Sequence, residues 1–333
     1  MDLLLFLYKI FFKMSNCSQG IFGSPAEPLF NNEFHSVSSE MLQDWLVTSA
    51  KSNILDVKTS KETQHIFGTG GWCECVFLVC EKFDLPWQAK FAALDILDRF
   101  MLKHVQGLYK YVQNSESNNK KADWTKILER ISKQAFLRIV TCCQVASKLN
   151  SHYKVIVLQV ITVKRVRRCL LDAGYSYSCE SILQSEMRVL KTLSYQVSKV
   201  TCVDFVEIIL EILGRNSMDE AANIKVYHEL AVKILTVVCI YQDEIYDRLY
   251  FTVARPEFGF LPSTEEQNRK LAAVKADKML LAVSVIAAAV HIIDESHTSQ
   301  VIAHLHAISE VPLEDIEDFV QVVLQHVQED LGE

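Results

Sequence analysis

The chain has 333 residues, of which 50% are hydrophobic and 23% charged, and this balance is typical of a globular protein with one large or two ordinary domains. Its formal net charge of -7 argues against broad electrostatic binding to nucleic acid, so we expect no direct nucleic-acid partner. Most of the ten cysteines lie inside apolar helical runs, which favours buried free thiols in a reducing compartment over a disulfide scaffold.

The first 37 residues predict a flexible leader with an unusual apolar start. Residues 3–12 are strongly apolar, but they are too few to span a membrane and Lys9 interrupts them. A signal peptide and an atypical or mis-assigned start are both open interpretations, and the second agrees better with the rest of the chain. Residues 14–37 are rich in Ser, Asn, Pro and Gly and show no sustained periodicity.

Helical periodicity then begins and continues through the first half of the chain. Residues 38–66 predict a peripheral helical region that begins at Ser38 or Ser39, both of which can cap a helix. Apolar residues recur at intervals of three and four in five further segments, which are 72–83, 86–105, 136–150, 162–173 and 178–194. A polar insert near 106–133 separates two of them, and we predict a surface loop at its residues 113–123.

The segment 136–150 is apolar around most of its girth, which indicates a helix at the centre of a bundle. Only a narrow polar stripe interrupts it, made of Arg138, Thr141, Gln144 and Lys148. Its small residues allow neighbouring helices to approach closely. We therefore predict that the other helices pack against this segment and that the stripe reaches the surface at Lys148.

The second half of the chain is also predicted to be helical, over residues 202–213, 220–251, 269–293, 301–308 and 313–327. No credible alternating strand is present, so the fold class is all-α. The apolar run 279–293 is flanked by Lys278 and Asp294, which favours a buried core helix over a membrane span. Each half thus has one almost uniformly apolar helix in its middle, which suggests a duplicated five-helix unit with modules at 67–198 and 199–333.

Motifs for catalysis, cofactors or metals find little support in the sequence. The glycines near residue 70 lack the pattern of a phosphate-binding loop. Cys73 and Cys75 have no second pair at metal-ligand spacing, and His304 and His306 point to different faces of one predicted helix. We therefore expect a non-enzymatic binding module without a cofactor. A basic run on one helix is a candidate partner patch or a solvated face, and it consists of Lys164, Arg165, Arg167 and Arg168.

Three segments, in this order, resemble one family. They are LDILDRFM at 94–101, CCQVASKL at 142–149 and SEMRVLKTLSYQV at 185–197. They are similar to the second, third and fifth helices of a cyclin box. The resemblance is strong over residues 72–197 and continues at lower density beyond them. It implies a cyclin-box five-helix bundle followed by a second, divergent cyclin-like helical module.

In cyclins, the lysine of the third-helix motif and the glutamate at the start of the fifth helix together bind the partner kinase. The matching residues in this chain are Lys148 and Glu186. The resemblance therefore implies a cyclin-dependent kinase as partner and these two residues as part of its interface. A lysine near the C-terminal end of a helix also complements the helix dipole, and a nearby carboxylate can fix its position.

The chain departs from the cyclin pattern at several positions. Acidic residues often follow the lysine motif in cyclins, but here Asn150, Ser151 and His152 follow it. The docking patch of the first helix is replaced by other residues, so we expect the substrate-docking groove to be absent; the replacing residues are Gly68, Thr69, Trp72 and Cys75. Asp98 loses the arginine with which it commonly pairs in the family, and we expect it to use the neighbours of Arg99 or solvent instead.

The similarity is greatest to a divergent branch of the family that acts in animal meiotic prophase. It implies a non-catalytic cyclin in meiotic recombination that promotes crossover maturation. Its partners would be a cyclin-dependent kinase and meiotic recombination proteins. The expected location is the nucleus, on the chromosomes of meiotic cells, with the cytoplasm as a further site. The alternative is a kinase-independent adaptor that scaffolds recombination, repair or ubiquitin-conjugating proteins.

Overall fold

The computed structural model describes residues 30, 37–60, 67, 70–116, 119–150, 160–216, 223–254 and 264–332. Within these ranges the chain forms α-helices and no strand, so the prediction of an all-α fold is confirmed. The predicted flexible leader and its apolar start lie almost entirely outside the described residues. Gly68, Thr69, Ser151 and His152 also lie outside the described residues.

The described residues contain thirteen α-helices. In chain order they are α1 (Ser39–Thr59), α2 (Gly70–Lys82), α3 (Trp87–Asn114), α4 (Lys120–Asn150), α5 (Val163–Asp172), α6 (Cys179–Thr192), α7 (Cys202–Asn216), α8 (Ile224–Ile240), α9 (Gln242–Ala254), α10 (Thr264–Ala276), α11 (Lys278–Ile293), α12 (Thr298–Ser309) and α13 (Leu313–Gly332). They divide between two compact units: α2–α6 form the first, and α1 with α7–α13 form the second.

The first unit is built around the second half of α4. Residues 135–147 of this helix are buried on every side by α2, α3, α5 and α6. Apolar side chains from the surrounding helices fill the space around it, among them Phe100, Leu170 and Ile182, which are 0% exposed. A helix that is apolar around most of its girth can be stabilised only in such an interior position. This arrangement agrees with the hub predicted for residues 136–150.

Local sequence determines where the helices of this unit begin and end. Thr162 and Ser178 precede α5 and α6, and each side chain accepts a hydrogen bond from a backbone N–H of the first turn. Gly174 follows α5 at a φ of 85°, a conformation that glycine adopts without steric cost. At the end of α6, Ser194 and Tyr195 both have positive φ, of 53° and 61°. Such values are uncommon for residues with side chains.

The insert near 106–133 is largely helical. It consists of the last turns of α3 and the first turns of α4, so only residues 115–119 separate the two helices. The loop predicted at 113–123 is therefore too long. The two arms are joined by side chains: Tyr109 packs edge-on against Trp124 at 5.1 Å, and Lys120 Nζ donates to the carbonyl of Gln113 at 2.5 Å. These contacts extend both helices beyond the point where the apolar pattern weakens.

The second unit is built around α11, which packs against α7, α8, α12 and α13. Buried apolar residues occupy nearly all of this helix, including Val283 and Val285 at 0% exposure. The unit also contains α1, whose Asn53 is buried at the start of α11. The side-chain nitrogen of Asn53 donates to Asp277 Oδ1 at 2.8 Å, and the side-chain oxygen of Asn53 accepts the backbone N–H of Lys278 at 2.9 Å. Thus α1 caps the central helix of this unit.

Two long helices predicted in the second half are each broken once. Residues 220–251 divide at Tyr241, and residues 269–293 divide at Asp277, whose side chain accepts the N–H of Leu280 at 3.0 Å and so begins a new helix. In the described ranges, no helix taken alone has the length and apolar character needed to cross a membrane. Only α10 from Arg269 onward and α11 meet that criterion together, across a bend of 67°.

Candidate partner-binding surface at the α4–α6 junction

The polar stripe of α4 is buried against α6. Arg138 is 5% exposed, and its Nη1 donates to Ser185 Oγ at 2.6 Å. The Ser185 and Thr141 hydroxyls lie 2.8 Å apart, and Thr141 donates to the carbonyl of Leu137 at 2.6 Å. Because arginine can only donate and a carbonyl can only accept, Ser185 must donate to Thr141. The hydrogen bonds therefore all point in one direction: Arg138 donates to Ser185, Ser185 donates to Thr141, and Thr141 donates to the carbonyl of Leu137.

The middle of the stripe contains a buried amide without a partner. Gln144 is 0% exposed, and neither its side-chain nitrogen nor its oxygen has a hydrogen-bond partner among the described residues. One turn further on, the Ser147 hydroxyl donates to the carbonyl of Gln144 at 2.8 Å and accepts the N–H of Ile161 at 3.1 Å. Ser147 thus connects Ile161, which lies just before α5, to the end of α4. Gln144, by contrast, places a polar group without a hydrogen-bond partner among the described residues in the core.

The stripe reaches the surface at Lys148, near the C-terminal end of α4. Its Nζ lies 2.5 Å from Glu186 Oε1 of α6. The Lys148 side chain is 41% exposed, while that of Glu186 is only 12% exposed. A carboxylate that is largely withdrawn from water holds the ammonium group in place, and the exposed part of Lys148 remains accessible to a partner.

Apolar side chains on α6 lie beside this ion pair. Leu183 is 49% exposed and Met187 is 42% exposed. They are four residues apart on one helix face, and Glu186 lies three residues after Leu183, at a spacing that makes side chains neighbours on a helix. Tyr195, at 60% exposure, follows the helix in the left-handed conformation, where its N–H donates to the carbonyl of Leu190 at 2.8 Å. A hydrogen bond of this kind, to a carbonyl five residues earlier, is a common way for a helix to end.

We define the junction surface as Lys148, Leu183, Glu186, Met187 and Tyr195. It combines one partly buried ion pair with three exposed large side chains. They are presented by α4, by α6 and by the turn that follows α6, all within a single compact unit. Interfaces between proteins commonly combine such apolar anchors with a few charged groups.

No protein-family model matches the chain. Two curated proteins do match it over most of their length, and both are named Cyclin N-terminal domain-containing protein 1. The mouse protein is 32% identical over 296 residues, which cover 88% of this chain and 85% of the mouse protein. The human protein is 30% identical over 300 residues, which cover 90% of this chain and 88% of the human protein. The chain belongs to this cyclin family.

In this cyclin, the two charged residues of the DRF motif organise the ends of the first unit. Arg99 donates through Nη1 and Nη2 to the carbonyls of Gln196 and Val197, at 2.8 and 2.9 Å, and so holds the segment after α6. Asp98 is 6% exposed, and its Oδ1 accepts the backbone N–H of Phe67 at 3.0 Å. Asp98 therefore pairs with a backbone donor before α2, which the sequence did not indicate. Its use of the neighbours of Arg99 stays a prediction.

The positions that correspond to the cyclin docking patch differ in their surroundings. Cys75 is 3% exposed, and burial raises the pKa of its thiol to about 12. Trp72 instead lines a cavity of about 620 Å³, whose other lining residues include Leu128, Ile131 and Tyr175. The expected absence of a substrate-docking groove stays a prediction. In the described ranges, no group of three or more His, Cys, Asp or Glu residues is placed to hold a metal ion.

The basic patch predicted on α5 is exposed along its length; its members are Lys164, Arg165, Arg167 and Arg168. Arg165 lies over the ring of Phe83, with its Cζ 5.2 Å from the ring centroid. The patch is on a different helix from either member of the Lys148–Glu186 pair, and its role as a partner site stays a prediction.

Several residues of the junction surface were not identified from the sequence. Leu183 and Met187 recur at helical spacing with the other apolar residues of α6, but they are exposed because the buried face of α6 is formed by Ile182, Ser185 and Val189. Their exposure could have been inferred from the angular offset between the two sets of residues. Tyr195 had no signal in the sequence, because its outward position depends on the left-handed backbone at the end of the helix.

Proposed function

We propose that this protein is a non-catalytic cyclin that binds a cyclin-dependent kinase through the junction surface. The observation that carries the proposal is the Lys148–Glu186 ion pair, which lies between two helices of the cyclin unit and is bordered by exposed apolar side chains. These two residues match the kinase-binding lysine and glutamate of cyclins.

The physical properties of the surface support kinase docking. Three exposed large side chains offer apolar area whose burial is worth about 25 cal/mol per Å² before the costs of association. Met187 has a flexible thioether that can adapt to an irregular partner surface. The Lys148 ammonium group, held by Glu186, can donate to a partner carbonyl or carboxylate with little loss of side-chain freedom.

We further propose that the protein acts in meiotic recombination and promotes crossover maturation, in the nucleus and on chromosomes. This part is supported by the resemblance of its three cyclin-box motifs to the meiotic branch of the family. Its recombination partners would be recruited directly or through the bound kinase. Immunostaining of spread meiotic nuclei tests this part. Foci on chromosomes in prophase are expected, and exclusion of the protein from these nuclei would contradict it.

A kinase-independent adaptor is the second candidate, and the helical insert favours it. The two arms near 106–133 expose Tyr109 at 47%, Tyr111 at 73% and Leu128 at 45%. Large exposed aromatic groups of this kind are common at protein interfaces. In this reading, the insert binds recombination, repair or ubiquitin-conjugating proteins, and the cyclin fold serves as a scaffold.

Co-purification with a panel of cyclin-dependent kinases separates the two candidates. The wild-type protein is expected to retain at least one kinase. The combined change Lys148→Ala and Glu186→Ala should weaken that complex by about 2–5 kcal/mol, because it removes charged contacts that the interface desolvates. A matched control is Glu180→Ala with Lys191→Ala, which removes the same charges from exposed positions on α6. If no kinase is retained, or if both double variants behave alike, the kinase proposal fails and the adaptor is favoured.

A further inference from the structure

The buried Arg138 has no carboxylate partner among the described residues. Its two hydrogen bonds to described residues go to neutral acceptors, Ser185 Oγ at 2.6 Å and Gln134 Oε1 at 2.9 Å, and they use two of the five N–H donors of the guanidinium. Its guanidinium also lies over the ring of Phe100, whose centroid is 5.9 Å from its Cζ. A buried charge is normally paired with an opposite charge, because desolvation of an ion costs several kcal/mol. The positive charge of Arg138 is therefore not balanced within the described residues.

Two further basic side chains surround the same point. The ring of His104 stacks on Phe100 with a centroid separation of 5.2 Å and an interplanar angle of 13°, so His104 and Arg138 share one aromatic neighbour. Arg188 lies one turn beyond Ser185, on adjoining positions of α6, and is exposed. Helices α3, α4 and α6 thus each contribute one basic residue to this cluster.

The electrostatic state of the cluster agrees with this geometry. The pKa of His104 is lowered to about 4, mainly by burial and in smaller part by repulsion from Arg138 and Arg188. Burial also lowers the pKa of Arg138, with a contribution from Arg188. Within the described residues, these two arginines are the charged groups that act on His104, and no carboxylate opposes them. The cluster is a concentrated region of positive potential in an acidic chain.

We propose that Arg138, Arg188 and His104 form a binding site for a tetrahedral oxyanion, that is, a phosphate or sulfate group. Arg188 provides the exposed charge that attracts the anion, and Arg138, fixed by Ser185 and Gln134, provides preorganised donors. A dianionic group balances two guanidinium charges, whereas a single carboxylate balances only one. The site is separate from the junction surface, because it does not use Lys148 or Glu186.

The same phosphate chemistry can come from a free ion or from a phosphorylated residue of a partner protein. Calorimetric titration of the full chain with inorganic phosphate tests the site itself. Titration with a phosphoserine peptide and with its unphosphorylated form distinguishes the source. Tighter binding of the phosphopeptide identifies a phosphoprotein as the ligand, and equal binding per phosphate group identifies the free ion.

Arg188→Gln is the informative variant, because an exposed side chain can be replaced without disturbing the fold. It should weaken phosphate binding at least tenfold. Arg269→Gln removes the same charge from an exposed position on α10 and should leave the affinity within twofold of the wild type. Equal effects of the two variants, or no phosphate binding by the wild type, would overturn the proposal.

The ring of His104 provides an independent readout by NMR. Without phosphate, the imidazole should be neutral at pH 6, because its pKa is about 4. A bound dianion stabilises the imidazolium, so saturating phosphate should raise the pKa of His104 and shift its ring signals towards the protonated form. The His104→Gln variant assigns these signals. A pKa that does not change at saturating phosphate would contradict an anion site at this position.

Discussion

The two central helices of the protein differ in what they bury. The buried half of α4 carries four polar residues among its apolar ones, Arg138, Thr141, Gln144 and Ser147. In α11 the buried stretch is apolar apart from Ser284, whose hydroxyl donates back to the carbonyl of Leu280 at 2.8 Å and so needs no tertiary partner. Both helices are the hubs of compact all-α units, yet only α4 connects its core to polar groups at the surface.

This difference separates two roles. A uniformly apolar hub is stabilised by burial alone and positions its neighbours without specifying a polar contact. A hub with a polar stripe fixes the rotation of the helix packed on it, because each buried donor must meet its acceptor. In α4, the Arg138–Ser185 and Lys148–Glu186 contacts align α6, and this alignment places Leu183 and Met187 at the surface.

The largest effect is expected when a polar side chain is placed in the apolar hub. Val283→Gln in α11 buries an amide at a position that is 0% exposed, where the surroundings are apolar. The unpaired amide and the lost packing should lower the free energy of unfolding by about 3–5 kcal/mol. Urea denaturation measures the change. The same substitution at Val226, which is 50% exposed in the same unit, should change stability by about 0.5 kcal/mol or less.

Loss of one link in the α4 stripe should have the next largest effect. Ser185→Ala removes the acceptor for Arg138 Nη1 and the donor for Thr141. Because one of the stranded groups is a buried cation, we expect a loss of about 2–4 kcal/mol in the free energy of unfolding. Ser181→Ala on the same helix removes an exposed hydroxyl and should cost much less. Similar losses for the two variants in urea denaturation would show that the stripe does not stabilise the α4–α6 packing.

Replacement of Gln144 should instead stabilise the protein. Gln144→Leu removes two buried polar atoms that have no partner in the described part of the chain. The free energy of unfolding should therefore rise by about 1–2 kcal/mol. By contrast, Gln134→Leu should lower it, because Gln134 accepts a hydrogen bond from Arg138. Thermal unfolding of the two variants compares them directly, and a destabilised Gln144→Leu protein would indicate that the amide has a structural role.

The smallest expected effect is the dependence of stability on pH that comes from His104. The pKa of His104 is about 4 in the folded protein, compared with 6.5 for an unperturbed histidine. Between these values the unfolded chain binds more protons than the folded protein, so the free energy of unfolding falls as the pH falls from 6.5 to 4. Solvent screens this half-buried ring, so we expect the contribution to be about 1 kcal/mol. Urea denaturation at pH 7 and pH 4.5, in phosphate-free buffer, should show a smaller loss for His104→Gln than for the wild type.

Much of the scaffold could be predicted from the sequence because it depends on local patterns. Apolar spacing predicted the helices and the central position of residues 136–150, and the cyclin-box motifs predicted the family. The insert was less predictable. Its helices are extended by tertiary contacts such as Tyr109 against Trp124, and its polar composition alone indicates a loop.

The details of the site depended on contacts between distant residues. The sequence identified Lys148 and Glu186 through their motifs, but it did not indicate that Ser185 would bind Arg138 across two helices. It also did not indicate that a backbone N–H of Phe67 would pair with Asp98. Pairings of this kind are determined by the packing of helices, which local periodicity does not specify.

The most direct test of kinase binding through the junction surface is a charge exchange within its ion pair. Lys148→Glu alone places two carboxylates together, whereas Lys148→Glu combined with Glu186→Lys restores an ion pair of reversed direction. Thermal unfolding should show a lower stability for the single variant and a recovered stability for the double variant. Kinase affinity, measured by calorimetry with the kinase retained in co-purification, should stay low in both, because the partner then meets the wrong charge at each position. Recovery of wild-type affinity by the double exchange would show that the pair is only structural and would contradict the proposed interface.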